Sequence, residues 1–253
     1  MIMSEAVMSP AAELSALVLD RLVAGTGVSE RPTEWTTLRG PAFPEPVGSV
    51  RYFTGGHAES VASVVYIGLV LPAAGLDSHM VFAFGADDCP LPHFTLDSVH
   101  AGGAYAFHLD LVQRADLAAH PVYTDTVYGP LTKPHARAAE APGLTAAAIS
   151  PRQRSLMSPW MLVHRADEAA LRAITPVAEE YLEHWLSLAA AIPAEAAGEL
   201  ADTDLPERDR RLRTALFSRE IDPVWGRVDR LLGATTTDRL RHLLITGHPE
   251  GTR

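Results

Sequence analysis

At 253 residues, 47% of them hydrophobic and 21% charged, the chain has the composition of a soluble globular protein with enough length for a large core. A formal net charge of -10 denies it the positive field that nucleic acid or an anionic membrane surface requires. Cys89 is the sole cysteine, which excludes an internal disulfide and a cysteine-held metal or iron–sulfur centre within one chain.

Taken in order, Ser9-Pro10 reads as a helix start, a capping hydroxyl followed by proline at the first helical position, and the apolar spacing carries the helix to Val23 or Ala24. Residues 25 to 48 hold Pro32, Pro41, Pro44 and Pro46 and read as an irregular connection whose Trp35, Leu38 and Phe43 need a packing partner. Period-two patterning then gives strands over Val50–Phe53, Ser60–Val70 and Ser78–Phe84. A hairpin follows, Leu91–His100 and Tyr105–Leu111, turning at Gly102-Gly103. Strand after strand without an intervening helix means an antiparallel meander. A last strand is expected over Leu156–Val163, marked as an edge or bulge by Pro159. One long helix is expected over Asp167–Ala191 with a kink at Pro176, then shorter helices over Leu205–Phe217, Pro223–Leu232 and Thr236–Ile245. The layout is a single α+β domain over 1–253, with helices covering both faces of one sheet.

The hairpin carries charge where a buried strand should not. One face presents Phe94, Leu96, Ser98, Tyr105, Phe107, Leu109 and Leu111; the other presents His93, Thr95, Asp97, Val99, His108 and Asp110. That second face either meets water or lines a cavity. No glycine-rich phosphate loop precedes a helix, and no serine lies in a nucleophile elbow. His93, His100 and His108 with Asp97 and Asp110 are the one grouping compatible with a metal, but His100 has the wrong strand parity. No uninterrupted apolar run is long enough to span a membrane, and Met1–Pro10 lacks a positive start and contains Glu5, so the expected compartment is the cytoplasm.

Leu91-Pro92-His93-Phe94-Thr95-Leu96-Asp97 resembles the Pro-x-Phe-x-x-Asp segment of ferredoxin-dependent bilin reductases and the Pro-His-Phe-x-x-Glu segment of red chlorophyll catabolite reductases. The run from His108 through Arg114, Asp116-Leu117 and His120-Pro121 to Tyr123 is similar to the Leu-Asp-Leu-x-Pro-Arg-Lys-Asp-Leu-x-x-His-Pro-x-Tyr run of the second group, with Gln113 and Ala115 departing from it. Ile221-Asp222, Leu231-Leu232-Gly233 and Arg239-Leu240 resemble the stretch where these families place a second active-site aspartate. The resemblance implies an α/β/α three-layer sandwich around an antiparallel sheet and no tightly bound flavin, nicotinamide or metal. It also implies reduced ferredoxin as external electron donor and a linear tetrapyrrole as substrate, a CH–CH oxidoreductase in which the protein supplies protons.

By that resemblance Asp97 is the first proton donor, Asp222 the second, and His79 a relay on the neighbouring strand. His93, Phe94 and His108 are candidate substrate contacts. Arg152 and Arg154 are candidates for substrate propionates or a ferredoxin carboxylate, and a docking patch is expected among Arg137, Arg152 and Arg154 or over Arg208–Arg213. Each residue also has a plainer reading: Asp97 as a solvent-facing strand residue, Asp222 before Pro223 as a helix cap, the arginines as ordinary surface charge. A carrier that binds the same ligand without turnover, a reductase of another conjugated metabolite, and a metal-dependent enzyme are the competing functions.

Overall fold

The structure, a computed structural model, describes residues 8–249; Met1–Val7, on which the reading of the N-terminus as no secretory signal largely rests, lies outside them. Helix α1 (Pro10–Thr26) begins where Ser9 Oγ accepts the Ala12 N–H at 3.1 Å. It ends at Gly27, whose positive φ of 68° lets its N–H reach Val23 O at 2.9 Å. The proline-bearing stretch after it is less irregular than expected, because β1 (Ser29–Arg31) and β2 (Leu38–Arg39) both pair with β3 (Pro46–Thr54). Strands β4 (Val61–Leu71) and β5 (Leu76–Gly85) follow, with a 3-10 turn at Pro72–Ala74 between them. Next come β6 (His93–Ala101) and β7 (Ala104–Val112), joined by Gly102 and Gly103, both at positive φ as a two-residue hairpin turn requires.

Helices α2 (Pro121–Val127) and α3 (Thr132–Ala139) lead to β8 (Leu144–Ala146), the four-residue α4 (Pro151–Arg154) and β9 (Leu162–Ala166). The strand expected over Leu156–Val163 therefore starts at Leu162 instead, and Pro159 lies in the loop before it. The expected long helix is two, α5 (Glu168–Ala173) and α6 (Thr175–Ala190), broken at Ile174, two residues before Pro176, which has no N–H to continue the ladder. Helices α7 (Ala194–Glu199), α8 (Leu205–Leu216), α9 (Val224–Leu232) and α10 (Ala234–Thr246) complete the described chain.

The strands form one nine-stranded antiparallel sheet in the order β1-β3-β4-β5-β6-β7-β9-β8, with β2 added on β3. Strand alternation divides its side chains between two cores, giving an α/β/α sandwich. On one face Val64, Val81, Phe94, Leu96, Phe107 and Leu109 pack under α1 and α6, where fully buried Trp185 meets the Phe94 ring and donates to Pro92 O at 2.7 Å. On the other face Val65, Ile67, Leu69, Phe82 and Phe84 pack under α9 and α10 through Trp225, Val228, Leu240 and Leu243.

Helix α8 is fastened to that second face by buried charge. Asp209 Oδ1 accepts from His93 Nε2 at 2.5 Å and lies 3.6 Å from Arg114 Nε, while Asp209 Oδ2 is 3.7 Å from Arg213 Nη1. Arg114 donates to Ala86 O and Asp87 O, Arg213 donates to Leu244 O and lies 3.8 Å over the Phe84 ring, and His93 Nδ1 accepts the Gly85 N–H at 3.0 Å. That last bond fixes the neutral tautomer with the proton on Nε2. Burial holds His93 down at about 4 against the pull of Asp209. Burial by itself would lift the Asp209 carboxyl, but the His93 N–H and the two guanidiniums outweigh it and hold Asp209 at about 2.

Asp209→Ala leaves two buried guanidiniums uncompensated and is expected to lower the unfolding free energy by about 3–5 kcal/mol in urea titration. Arg172→Ala, which removes exposed pairs to Glu13 and Glu168, should lower it far less; equal small losses for both would remove the fastening role of Asp209. Because the folded-state value of His93 is depressed from 6.5 to about 4, its contribution is present above pH 6.5 and is lost as pH falls through that interval. His93→Gln should flatten that limb of the stability profile relative to the parent; an unchanged limb contradicts the neutral assignment.

Candidate functional site

Between the sheet and the α8–α9 layer lies a cavity of about 830 Å³, within the range of about 300–1,000 Å³ typical of pockets that enclose a small molecule. Its floor is the strand face bearing Leu69, Met80, Phe82, Thr95, Asp97 and His108. Its roof is Phe217, Trp225, Val228 and Leu231, and the segment joining β8 to β9 supplies Ile149, Gln153, Met157 and Met161 as a side wall. The open alternative from the sequence is thereby decided: the charged face of the hairpin lines a cavity.

Asp97 and His108 are register partners across β6 and β7, so their side chains share that floor, with His108 Nδ1 3.6 Å from Asp97 Oδ2. Asp222 approaches from the roof in the turn before α9. Its Oδ1 accepts the Val224 N–H at 2.9 Å, so the carboxylate both caps the helix and borders the cavity. Burial opposes charge on His108, but Asp97 beside it, reinforced by Asp110 and Asp222, outweighs that and raises its affinity for a proton. Asp222 is pushed upward by burial, with the Asp97 charge adding to the shift and the Val224 N–H opposing it. Asp110, wholly buried on the same strand face as His108, is pushed up to about 6 by burial against the influence of His108 and the Ser158 donors. His108 on the floor and Asp222 on the roof are thus coupled groups whose affinity for a proton is raised.

Seven buried side-chain polar atoms among the described residues have no hydrogen-bond partner, and four of them, Thr95 Oγ1, Asp97 Oδ1, His108 Nε2 and Trp225 Nε1, belong to residues lining this cavity. An unsatisfied buried polar group costs about 1–3 kcal/mol, so their concentration here marks the place where the fold gives up stability for hydrogen-bonding capacity toward a ligand. At the rim stand Arg165 from β9 and Arg227 and Arg230 from α9, all exposed. The cavity therefore combines flat apolar walls, an acidic interior and a cationic mouth.

The sequence candidates divide sharply. Asp97, Asp222 and His108 meet in the cavity. His93 borders it, yet both ring nitrogens are committed to Gly85 and Asp209, so it is a structural part of the α8 fastening. Phe94 is a correction: its ring lies on the opposite face of the sheet, buried against Trp185. His79 is another, because its register partner is Ser98 rather than Asp97, which turns the ring to the α1 face. There His79 bridges the Tyr66 hydroxyl at 2.7 Å and Asp77 at 2.6 Å. Arg152 and Arg154 are exposed on α4 and do not line the cavity, whereas their neighbour Gln153 does. The expected docking cluster is also largely spent: Arg137 pairs with Glu180, Arg210 and Arg211 with Glu207, Arg208 holds Gln113 O and Ala115 O, and Arg213 is buried. No group of three or more histidine, cysteine or acidic side chains among the described residues is placed to hold a metal ion. No helix among them is long and apolar enough to cross a membrane.

The antiparallel sheet flanked by helices on both faces is like the fold of ferredoxin-dependent bilin reductases. One member with that fold is phytochromobilin synthase from tomato, whose crystal structure in complex with biliverdin superposes with a TM-score of 0.71 at 17% identity, covering 93% of this chain and 82% of that one. No family model and no curated protein sequence matches the chain.

The Asp97–His108 contact makes a direct titration informative. His108 should titrate above its ordinary value of 6.5 in the parent, with a stabilising contribution complete below 6.5 that disappears as pH rises through the folded value. In Asp97→Asn burial meets less opposition, and the histidine should titrate lower. Imidazole proton NMR reads both; a His108 value that does not respond to the substitution breaks the pair.

Proposed function

We propose that the protein is a reductase of a linear tetrapyrrole that takes electrons one at a time from a reduced ferredoxin. The observation that carries the reading is the convergence of Asp97, His108 and Asp222, from strand floor and helix roof, on one slot-like apolar cavity of about 830 Å³. The fold shared with tomato phytochromobilin synthase, solved with biliverdin, supports the substrate class.

The chemistry follows from the surroundings. A conjugated tetrapyrrole accommodates an added electron in its own π system, and the resulting radical anion needs a proton at one position. The Asp97–His108 ion pair, 3.6 Å apart, delivers that proton from the floor, and His108 is the member whose affinity for a proton its acidic neighbours raise. After the second electron, Asp222, whose burial favours its neutral form, supplies the second proton from the roof. Two electrons and two protons convert one double bond to a single bond. Phe217, Trp225, Met80 and Met157 enclose the ring plane, and Arg165, Arg227 and Arg230 at the mouth meet the carboxylates that such pigments carry. Biliverdin-type bilins and the chlorophyll catabolites of the related branch both satisfy these demands.

The test is a spectral titration of the purified protein with biliverdin and with red chlorophyll catabolite, followed by anaerobic turnover with reduced ferredoxin. The account predicts a shifted pigment spectrum and consumption of one of the two. Asp97→Asn should bind within about threefold of the parent but lose at least about 10²-fold in turnover and accumulate the radical. Binding without turnover by the parent would make the protein a carrier; no binding of either pigment removes the proposal.

A further inference from the structure

Asp110 calls for a second account, because the protonation steps do not use it. It is 0% exposed on the cavity face of β7, and both its oxygens are taken by one residue. Ser158 donates its N–H to Oδ2 at 2.9 Å and its hydroxyl to Oδ1 at 2.5 Å. Ser158 belongs to the segment between β8 and β9 that walls the cavity. Within it, residues 148–157 make hydrogen bonds only among themselves: Ser150 and Gln153 form a reciprocal cap on α4, Ser155 Oγ donates to Arg152 O, and the backbone closes local turns. None of these ten residues is buried, although Ile149, Gln153 and Met157 face the cavity. The strap is tied to the body at its ends, where Ala147 N–H reaches Val163 O at one side. At the other, Ser158 binds Asp110, and Trp160 follows, its indole bonded to Thr132 and its carbonyl to the Tyr181 hydroxyl.

We infer that Asp110 is a substrate-positioning residue: through Ser158 it latches the 148–157 strap against the cavity and so sets the fit of that wall to the bound ligand. A carboxylate suits the task because it accepts two convergent donors from one serine in a site closed to water, a geometry that no apolar contact could orient. Burial of the acid is tolerated because both acceptors are satisfied. The strap itself contributes no core, so its position depends on this latch more than on packing. His108 on β7, Tyr128 after α2 and Tyr181 on α6 are the titratable groups whose charges Asp110 feels, and none of them bridges to the strap.

The inference rests on the proposed function for the identity of its ligand, and the experiment separates the two. Hydrogen exchange on the free full-length protein is compared for the parent, Ser158→Ala, Ser158→Thr and Asp110→Asn, alongside biliverdin affinity and single-turnover reduction. In Ser158→Ala and Asp110→Asn the amides of 148–157 should exchange at least about tenfold faster while those of β6 and β7 stay unchanged, the scale of losing a hydrogen bond to a charged group. Biliverdin Kd should rise about tenfold or more in both; in Ser158→Ala, which leaves every charge in place, the reduction rate of bound pigment stays within about threefold, and Ser158→Thr should restore both readouts. Unchanged exchange in the strap overturns the latch. A loosened strap with unchanged affinity overturns the positioning role, and so does a loss confined to the reduction rate. If the parent binds no biliverdin the proposed function fails, while the exchange data still decide the latch.

Discussion

The buried charge around Asp209 decides what kind of surface the sheet presents. Strand alternation leaves the second face of the sheet with Phe82, Phe84 and Leu69 beside Asp97 and His108, a mixture that water would wet if nothing covered it. Asp209, held between His93, Arg114 and Arg213, draws α8 down onto that face and brings the following turn, with Asp222, over the cavity. Such a knot is a weak source of stability, since desolvation offsets most of the attraction, but it is directional where an apolar contact is not. It fixes where the roof stands, and the roof sets Asp222 over the strand floor that carries Asp97 and His108.

Two kinds of polar group then share the enclosed space. His93, Asp209 and Asp110 have their hydrogen-bonding capacity consumed by the protein and, with Arg114 bonded to two backbone carbonyls, hold it together. Thr95, Asp97, His108 and Trp225 keep buried polar atoms without partners. The first set makes the second tolerable: rigid walls prevent the unsatisfied groups from relaxing onto one another, and the free-energy cost is available to a ligand that bonds them. The arginines divide in the same way, Arg114 and Arg213 internal and engaged, Arg165, Arg227 and Arg230 exposed at the mouth.

Much of this was legible in the sequence, and the failures have physical reasons. Period-two alternation separated Phe94 and Leu96 from Asp97 correctly, and the Gly102-Gly103 turn fixed the hairpin register that sets Asp97 against His108. The same parity could have placed Phe94 in the other core before any resemblance made it a substrate contact. His79 failed by one residue, because its face depends on pairing with β6, and that register follows from a turn between β5 and β6 that no local pattern specifies. The short β1, β2 and β8 were invisible since two or three residues carry no periodicity; they exist by pairing to longer neighbours. Asp209 and Ser158 were missed for a related reason. Their partners lie 116 and 48 residues away, and nothing in an arginine-rich amphipathic helix or a Ser-Pro step announces a buried contact.

The most direct measurement of the central claim, that two acids from opposite layers address one flat ligand, is a crystal structure of the protein with biliverdin soaked under reducing-agent-free conditions. The account predicts the pigment between the β4–β7 floor and the α9 roof, with the Asp97 and Asp222 carboxylates on opposite sides of its plane and its propionates toward Arg165, Arg227 and Arg230. A pigment bound on the α1 face, or one whose plane neither carboxylate reaches, contradicts it.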